Sequence, residues 1–404
     1  MMTESQSGLA QEIAGAEMGG VAQTCDLRIA FLTNVIAPYW KPVFAALAPR
    51  YRSLRIFLST PMERNRSWEV DWRGLDVVVQ RTVTLNGRWR HPKRFSEPIY
   101  IHVSLDTVQQ LTRFGANVVI SSEMGFRTLM ALVYRKWRPA SRLILFLEIT
   151  TVTEQGRGRI RHILRRFIQK RVDGFLVLGE SGARYLRSIG VEDGRIFRSP
   201  YTTEVARFGA HGVARPEEQA RRLLYVGQLI ERKGLLPFLR ALSKWAANNE
   251  SHDVEFVLAG AGPLRGQLLS EPVARNVTLT FLGNVSYADL PNVYAQAGIF
   301  VFPTFADTWG VVVNEALASG LPVLGSIYSQ AVEELVDDGA NGWTFQPDDE
   351  KRVYEAIDRS MSTPIDKLNQ MREHARKTAL RLTPEVVAER IDRAVAAVCG
   401  SGPE

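Results

Sequence analysis

Lys233, Asp307 and Glu315 carry the chemistry that this sequence can be read for. Asp307 and Glu315 lie in the run Val301-Phe302-Pro303-Thr304-Phe305-Ala306-Asp307-Thr308-Trp309-Gly310-Val311-Val312-Val313-Asn314-Glu315. A strand there should end near Pro303, and a polar loop should lead into a helix that Asp307 or Thr308 can cap. Gly310 leaves room for a ligand to approach the backbone. The amides at Gly310 and Val311, at the positive end of the helix dipole, suit a pyrophosphate. With a helix starting near Gly310, the two carboxylates stand on the order of 10 Å apart. That spacing suits a ligand with hydroxyl-bearing groups on both sides of a diphosphate, because carboxylates accept hydrogen bonds strongly from diols. Taken alone, Asp307 and Glu315 read better as an N-capped surface helix with an ordinary exposed Glu, and it is their companions that reverse the balance.

Three further turns stand near them. Leu223-Leu224-Tyr225-Val226-Gly227-Gln228-Leu229-Ile230-Glu231-Arg232-Lys233-Gly234 reads as a strand and a tight loop delivering Lys233 to a helix start. A lysine there can neutralise phosphate as a compact point charge. Leu258-Ala259-Gly260-Ala261-Gly262-Pro263 and Phe281-Leu282-Gly283-Asn284-Val285-Ser286 are turns of the same kind, with Ser286 a candidate helix cap. Each turn is weak by itself.

The elements that must position these residues form two α/β series. Strand-like runs at 28–33, 54–58, 75–79, 117–121, 142–147 and 175–178 alternate with helical patterns, notably at 98–114 and 124–137. A second series runs through 223–226, 255–259, 278–282, 299–303 and 322–324, with helices predicted at 235–247, 263–270, 287–297, 310–319, 330–337 and 349–360. Such alternation implies mostly parallel, doubly wound sheets. Residues 202–221 are polar and aperiodic and read as the linker between them. The expected organisation is a tail over 1–25, one domain over 26–205, a second over 206–382, and an amphipathic C-terminal helix over 383–404 packing back toward the first. Ligands in such sheets bind beyond the carboxyl ends of the strands.

Four strand-end turns in this order resemble the C-terminal half of the retaining glycosyltransferases of the large family numbered four, or group 1. That family's pattern is an acidic residue, seven others and a Glu, followed by a small-residue helix and a Gly-x-Pro-Val turn. Asp307 to Glu315 and Gly320-Leu321-Pro322-Val323 match it. The resemblance is specific over 220–345 and weaker over 28–205. It implies a GT-B fold, two Rossmann-like domains facing each other across a cleft. It also implies a nucleotide-diphosphate sugar donor, a hexose-type transfer with retention, and no metal or other cofactor. In the implied roles Glu315 holds the ribose hydroxyls, Asp307 the donor sugar's hydroxyls, and Lys233 the leaving diphosphate. Gly310 and Val311 touch the phosphates, Gly283 and Asn284 lie beside the base, and Gln228, Arg232, Gly262, Thr308 and Trp309 complete the donor site. The departing phosphate then helps to deprotonate the acceptor on the same face, so no enzymic nucleophile is needed.

This chain departs from the pattern in four places. Asp307 stands where Glu is usual, and Gln228 stands where a phosphate-binding Arg is common, for which Arg232 can substitute. The loop Asn34-Val35-Ile36-Ala37-Pro38-Tyr39-Trp40 lacks the usual glycine pair. Glu148 falls about where many relatives carry His, and is a candidate contact to donor sugar or acceptor hydroxyl. These departures bear on activity rather than on fold.

On the acceptor side the resemblance points to the N-terminal domain, with Asn34, Pro38 and Tyr39 as candidates and a glycan or lipid-linked acceptor. Residues 156–171 read as a basic amphipathic helix, with Ile160, Ile163, Leu164, Phe167 and Ile168 at helical spacing among Arg159, Arg161, Arg165, Arg166 and Lys170. Such a helix can lie on anionic lipid, each cation near the surface adding about 1 kcal/mol. It can equally pack its apolar stripe on the sheet. Arg88-Trp89-Arg90-His91-Pro92-Lys93-Arg94 is a second basic cluster with an aromatic anchor.

The bulk numbers limit the alternatives. A chain of 404 residues, 45% apolar and 23% charged, exceeds one core and suits two domains. Its two cysteines, Cys25 and Cys399, lie near opposite ends, which argues against a disulfide framework and for a cytoplasmic setting. No apolar stretch is long enough to span a bilayer, and no Cys/His spacing resembles a metal site. The net charge of +7 favours anionic partners, but the basic runs match no nucleic-acid-binding module, so none is expected. Two other readings stay open: a GT-B-fold nucleotide-sugar epimerase, and a catalytically weak donor-binding protein of a polysaccharide assembly complex.

Overall fold

The computed structural model describes residues 25–63, 71–92, 95–156 and 158–400. The expected tail lies outside the described residues except for Cys25, which already opens the first strand. In chain order the first lobe contains β1 (Cys25–Thr33), α1 (Trp40–Leu47), β2 (Tyr51–Leu58), β3 (Asp76–Val79), β4 (Thr82–Arg90), β5 (Ser96–Ser104) and α2 (Thr107–Phe114). It continues with β6 (Val118–Ser121), α3 (Phe126–Trp137), β7 (Arg142–Leu147), α4 (Arg159–Gln169), β8 (Gly174–Val177), α5 (Glu180–Ser188) and β9 (Ile196–Arg198). Seven of these strands form a parallel sheet in the order β3-β2-β1-β6-β7-β8-β9. Strands covered on both faces need continuous apolar runs, and every residue of β6 and β8 is buried.

The second lobe follows α6 (Val205–Phe208) with β10 (Leu223–Val226), α7 (Leu235–Ala247), β11 (Val254–Ala259), α8 (Arg265–Ser270), β12 (Val277–Gly283), α9 (Leu290–Ala295) and β13 (Ile299–Phe302). Then come α10 (Val311–Ala318), β14 (Val323–Ser326), α11 (Gln330–Leu335), β15 (Gly342–Phe345), α12 (Glu350–Ser362), α13 (Ile365–Leu380) and α14 (Pro384–Cys399). Its six strands are parallel in the order β12-β11-β10-β13-β14-β15. Helix α7 illustrates the covering layer: Leu235, Phe238, Leu239, Leu242 and Trp245 recur at helical spacing and are all buried.

The predicted helix over 98–114 is corrected by the structure. Ser96–Ser104 is a strand, paired antiparallel with β4 from Thr82↔Ser104 to Arg90↔Ser96, and only Thr107–Phe114 is helical. Ile99, Ile101 and Val103 alternate along one face of this ribbon, a period of two that β-branched residues favour. β9, β15 and α13 were not anticipated. In α13 the buried Leu368, Met371, Ala375 and Ala379 are spread among charged residues, which dilutes the apolar signal.

The chain returns at its end to the first lobe. Helix α14 packs on α1 and on β7, β8 and β9, and the Tyr51 hydroxyl donates to Asp392 Oδ1 at 2.7 Å.

Candidate functional site

In the second sheet the strand order reverses between β10 and β13, which lie side by side. Such a reversal leaves a crevice at the carboxyl ends of the two strands. Lys233 follows β10 and Asp307 follows β13, and the Lys233 ammonium donates to Asp307 Oδ2 in that crevice. Gly234 makes the approach possible. Its φ is +67°, and a Cβ there would sit 2.1 Å from the Pro303 carbonyl oxygen, so only glycine lets the β10 turn close on the end of β13. The ammonium also lies 4.9 Å from the centroid of the Phe302 ring, within cation–π range.

Arg232 joins the same cluster. Its Nη1 donates to the Ala306 carbonyl at 2.8 Å and stands 3.5 Å from Asp307 Oδ2, while its Nε donates to Glu97 at 2.6 Å. Burial opposes ionisation of Asp307, but Lys233 and Arg232 outweigh it and hold the carboxyl below its ordinary value. Burial likewise works against the charge on Arg232, and Asp307 and Glu97 overcome it, so its pKa is raised. On Lys233 burial outweighs the attraction of Asp307 and lowers its pKa, so the Asp307 carboxyl sits between two basic groups of which Arg232 holds its charge the more firmly.

Glu315 lies on α10 and is buried, accepting a hydrogen bond from the Tyr294 hydroxyl at 2.8 Å. Burial raises its pKa from 4.5 to about 7, against the opposing effect of the Tyr294 bond. The structure thus joins Lys233, Arg232 and Asp307 directly and holds Glu315 in a separate bond at the neighbouring helix. Trp309 is buried, and its indole N–H donates to Asn314 Oδ1 at 2.7 Å. Asn314 Nδ2 in turn donates to the Tyr201 carbonyl at 3.0 Å, tying the loop to the chain that joins the lobes.

Several expectations for the remaining residues need correction. Neither Asp307 nor Thr308 caps α10; Gly310 is the N-cap residue, and no side chain caps that end. Gly310 has a φ of +104°, and a Cβ there would lie 2.7 Å from the Phe302 ring and 3.1 Å from Ser329 Oγ, so the turn into α10 requires glycine. At Gly262 the corresponding space belongs to the Leu229 carbonyl, 2.3 Å away. Gly283, at φ +68°, does face open space, next to exposed Asn284. Ser286 Oγ accepts from the Asp289 amide at 3.2 Å and so caps the turn just ahead of α9. Val311 begins α10, the Thr308 carbonyl accepts from Gln330 Nε2 at 2.9 Å, and the Gln228 carbonyl accepts from the Tyr225 hydroxyl at 2.8 Å.

On the opposing lobe Glu148 directly follows β7 as an exposed residue and accepts from the Tyr201 hydroxyl, a proton that burial keeps in place by raising the tyrosine pKa. Tyr39 packs against Tyr201 with ring centroids 5.2 Å apart. Pro38 occupies the turn before α1, where its carbonyl accepts from the Lys41 amide at 3.3 Å. The Asn34 amide donates to Glu63 at 3.1 Å, and its oxygen accepts from the buried Arg127.

The basic segments resolve in opposite ways. In α4 Ile168 is buried and Arg165 turns inward to Glu154 and Tyr185, while Ile163 and Phe167 remain exposed. Trp89 is not a free anchor: it is buried with Phe95 and Ala306. Lys93 and Arg94 lie outside the described residues. No group of three or more His, Cys, Asp or Glu able to hold a metal occurs among the described residues, and no helix there is long and apolar enough to cross a membrane.

Sequence reasoning missed Glu97, Tyr294, Asn314 and Gln330. Glu97 was hidden by reading its strand as helix, where the alternation of Ile99, Ile101 and Val103 was the available signal.

Residues 220–363 match the family described as glycosyl transferases group 1. They form a group 1 glycosyltransferase domain. An uncharacterized glycosyltransferase of Methanocaldococcus jannaschii, MJ1607, is 29% identical over 148 residues, which is 36% of this chain and 37% of that protein. The match to a second relative covers 47% of its length, so the chain spans less than half of the first curated relatives it matches. Among solved structures, Anabaena HepE in complex with UDP aligns with a TM-score of 0.68 at 13% identity, over 92% of this chain and all of that one. The lipopolysaccharide outer core galactosyltransferase WaaB aligns at 0.69 and 13% identity, over 91% of this chain and 99% of that one. Both lobes therefore adopt the GT-B fold, and the group 1 domain carries the Lys233–Asp307 crevice.

Proposed function

We propose that this protein transfers a hexose-type sugar from a nucleotide-diphosphate sugar to a glycan or lipid-linked acceptor, with retention, in cell-surface polysaccharide or glycolipid synthesis. The observation that carries the reading is the Lys233–Asp307 ion pair at the β10/β13 reversal, flanked by Arg232. A diphosphate entering the crevice takes over Lys233 and releases the Asp307 carboxylate to accept hydrogen bonds from sugar hydroxyls. As the bond to the sugar breaks, negative charge grows on the leaving diphosphate, where a buried ammonium stabilises it most. Glu315 receives the ribose diol, and the base lies near Gly283 and Asn284, where the backbone is open. No metal is assigned a part.

The acceptor approaches from the first lobe, past Asn34, Pro38 and Tyr39, with Glu148 beside its hydroxyl. Retention rests on the family likeness. The UDP bound by the HepE neighbour supports a uridine nucleotide as the first donor to try. Exposed Ile163 and Phe167 beside the cations of α4 support docking on an anionic membrane face, which flotation with and without anionic lipid tests.

The deciding experiment is a thermal-shift screen against UDP-, GDP- and ADP-sugars, since a ligand that binds only the folded chain raises its melting temperature. One sugar nucleotide should stabilise the protein, and Lys233→Ala should erase the shift. Absence of any shift at millimolar concentrations of all three rejects the reading.

A further inference from the structure

The cation beside the donor crevice is held from the other lobe. Glu97 stands opposite Trp89 in the β4–β5 ribbon, and the ribbon leans onto the loop after β13 through Trp89, Phe95 and Ala306, the last fully buried. Ile99, Val152 and Phe305 pack around this contact. The ribbon is also fixed to its own lobe, where Trp89 Nε1 donates to the Gln155 carbonyl at 3.3 Å and His91 Nε2 lies 2.9 Å from the Val152 carbonyl. This seating carries the Glu97 carboxylate to Arg232 Nε at 2.6 Å, with the two side chains only 22% and 17% exposed.

Among the described residues of the cluster the charges cancel. Arg232 and Lys233 are the cations, and Asp307 and Glu97 are the anions paired with them. A diphosphate gains little from a site whose cations already hold carboxylates. Lys233 is vacated as Asp307 turns to the sugar, and Arg232 is vacated only if Glu97 gives way. Asp307 is the proposed sugar ligand and is anchored in the loop by its amide, which donates to the Tyr328 carbonyl at 3.1 Å. Glu97 arrives on a separate element from a separate lobe.

We infer that Glu97 is an additional donor-site residue, a carboxylate lent by the N-terminal ribbon that occupies Arg232 until a donor diphosphate displaces it. The inference rests on the donor-site reading above. It makes the ribbon a determinant of donor affinity: the bound diphosphate replaces one carboxylate by another anion on the same guanidinium, and Glu97 is released toward solvent.

The test measures UDP and inorganic pyrophosphate binding to the full chain by titration calorimetry at low ionic strength, for wild type, Glu97→Gln and Glu389→Gln. Glu389, half-exposed on α14 and paired with Arg393, controls for the change in net charge. Glu97→Gln should bind UDP about three- to tenfold more tightly than both others, with the same direction for pyrophosphate. Unchanged or weaker binding by Glu97→Gln overturns the inference and makes Glu97 a support for Arg232. Should Glu97→Gln fail to fold, Glu97→Asp, one methylene shorter, should give a smaller tightening, and no tightening overturns the inference. If wild type binds neither UDP nor pyrophosphate, the donor-site reading fails and takes this inference with it. Binding by wild type without tightening in the variants rejects the role of Glu97 alone.

Discussion

Glu315 changes charge near neutral pH. Its pKa is raised from 4.5 to about 7 by burial, so the folded chain holds a proton there that the unfolded chain has lost between those values. The stability this protonation confers is present below about pH 4.5 and is lost as pH rises through about 7. Donor binding should run the other way, because a ribose diol needs the carboxylate as acceptor. Nucleotide affinity should increase between pH 6 and 8 in wild type, and Glu315→Gln should bind weakly with no slope across that range, as calorimetry at several pH values would reveal. Lys233→Ala should cut transfer by about 100-fold or more. It also leaves Asp307 a buried anion short of a partner, at a cost of up to about 3 kcal/mol. The double variant Lys233→Ala/Asp307→Ala should recover part of that loss, readable as a higher melting temperature than the single variant.

Glycines at strand ends separate two causes of sensitivity at the level of the elements. Gly234→Ala meets both a left-handed φ and the Pro303 carbonyl, whereas Gly283→Ala meets the left-handed φ alone. Gly283→Ala should cost about 1–2 kcal/mol. Gly234→Ala should cost more and lower the melting temperature further, because the β10 turn cannot close. Both turns were legible in the sequence, since each is a short apolar strand, a glycine-bearing loop and a helix contiguous in the chain. Lys233 and Asp307 were legible for the same reason: strand order brings their loops together, and each loop announces itself locally. Glu97 was not, because its partner Arg232 is 135 residues away and its strand pairs only with β4, outside both main sheets. Tyr294 was hidden differently, as one aromatic among the apolar residues of α9, with no local sign that its hydroxyl faces Glu315.

At the scale of the whole molecule the lobes are joined at several points, Glu334 accepting from the Glu180 amide, Glu333 pairing with Arg184, and Gln330 bridging two backbone groups. Its Oε1 accepts from the Gly182 amide at 2.9 Å, and its Nε2 donates to the Thr308 carbonyl at 2.9 Å. Gln330→Ala leaves those two backbone groups unpaired, a cost of about 1–3 kcal/mol each that water can relieve only if the lobes part. The variant should have a larger radius of gyration by small-angle scattering, with unchanged far-ultraviolet circular dichroism.

The return of α14 to the first lobe has a mechanical corollary. The polypeptide passes between lobes once near Thr202 and again near Leu382, and the Thr202 hydroxyl donates to the Leu382 carbonyl, so the outgoing and returning threads are clasped together. A body joined through two clasped threads can swing like a door on a short pin, whereas twisting or sliding would have to tear the clasp. Opening of the crevice is then expected to turn about this clasp, and a bridge across the crevice mouth would arrest it without touching either sheet.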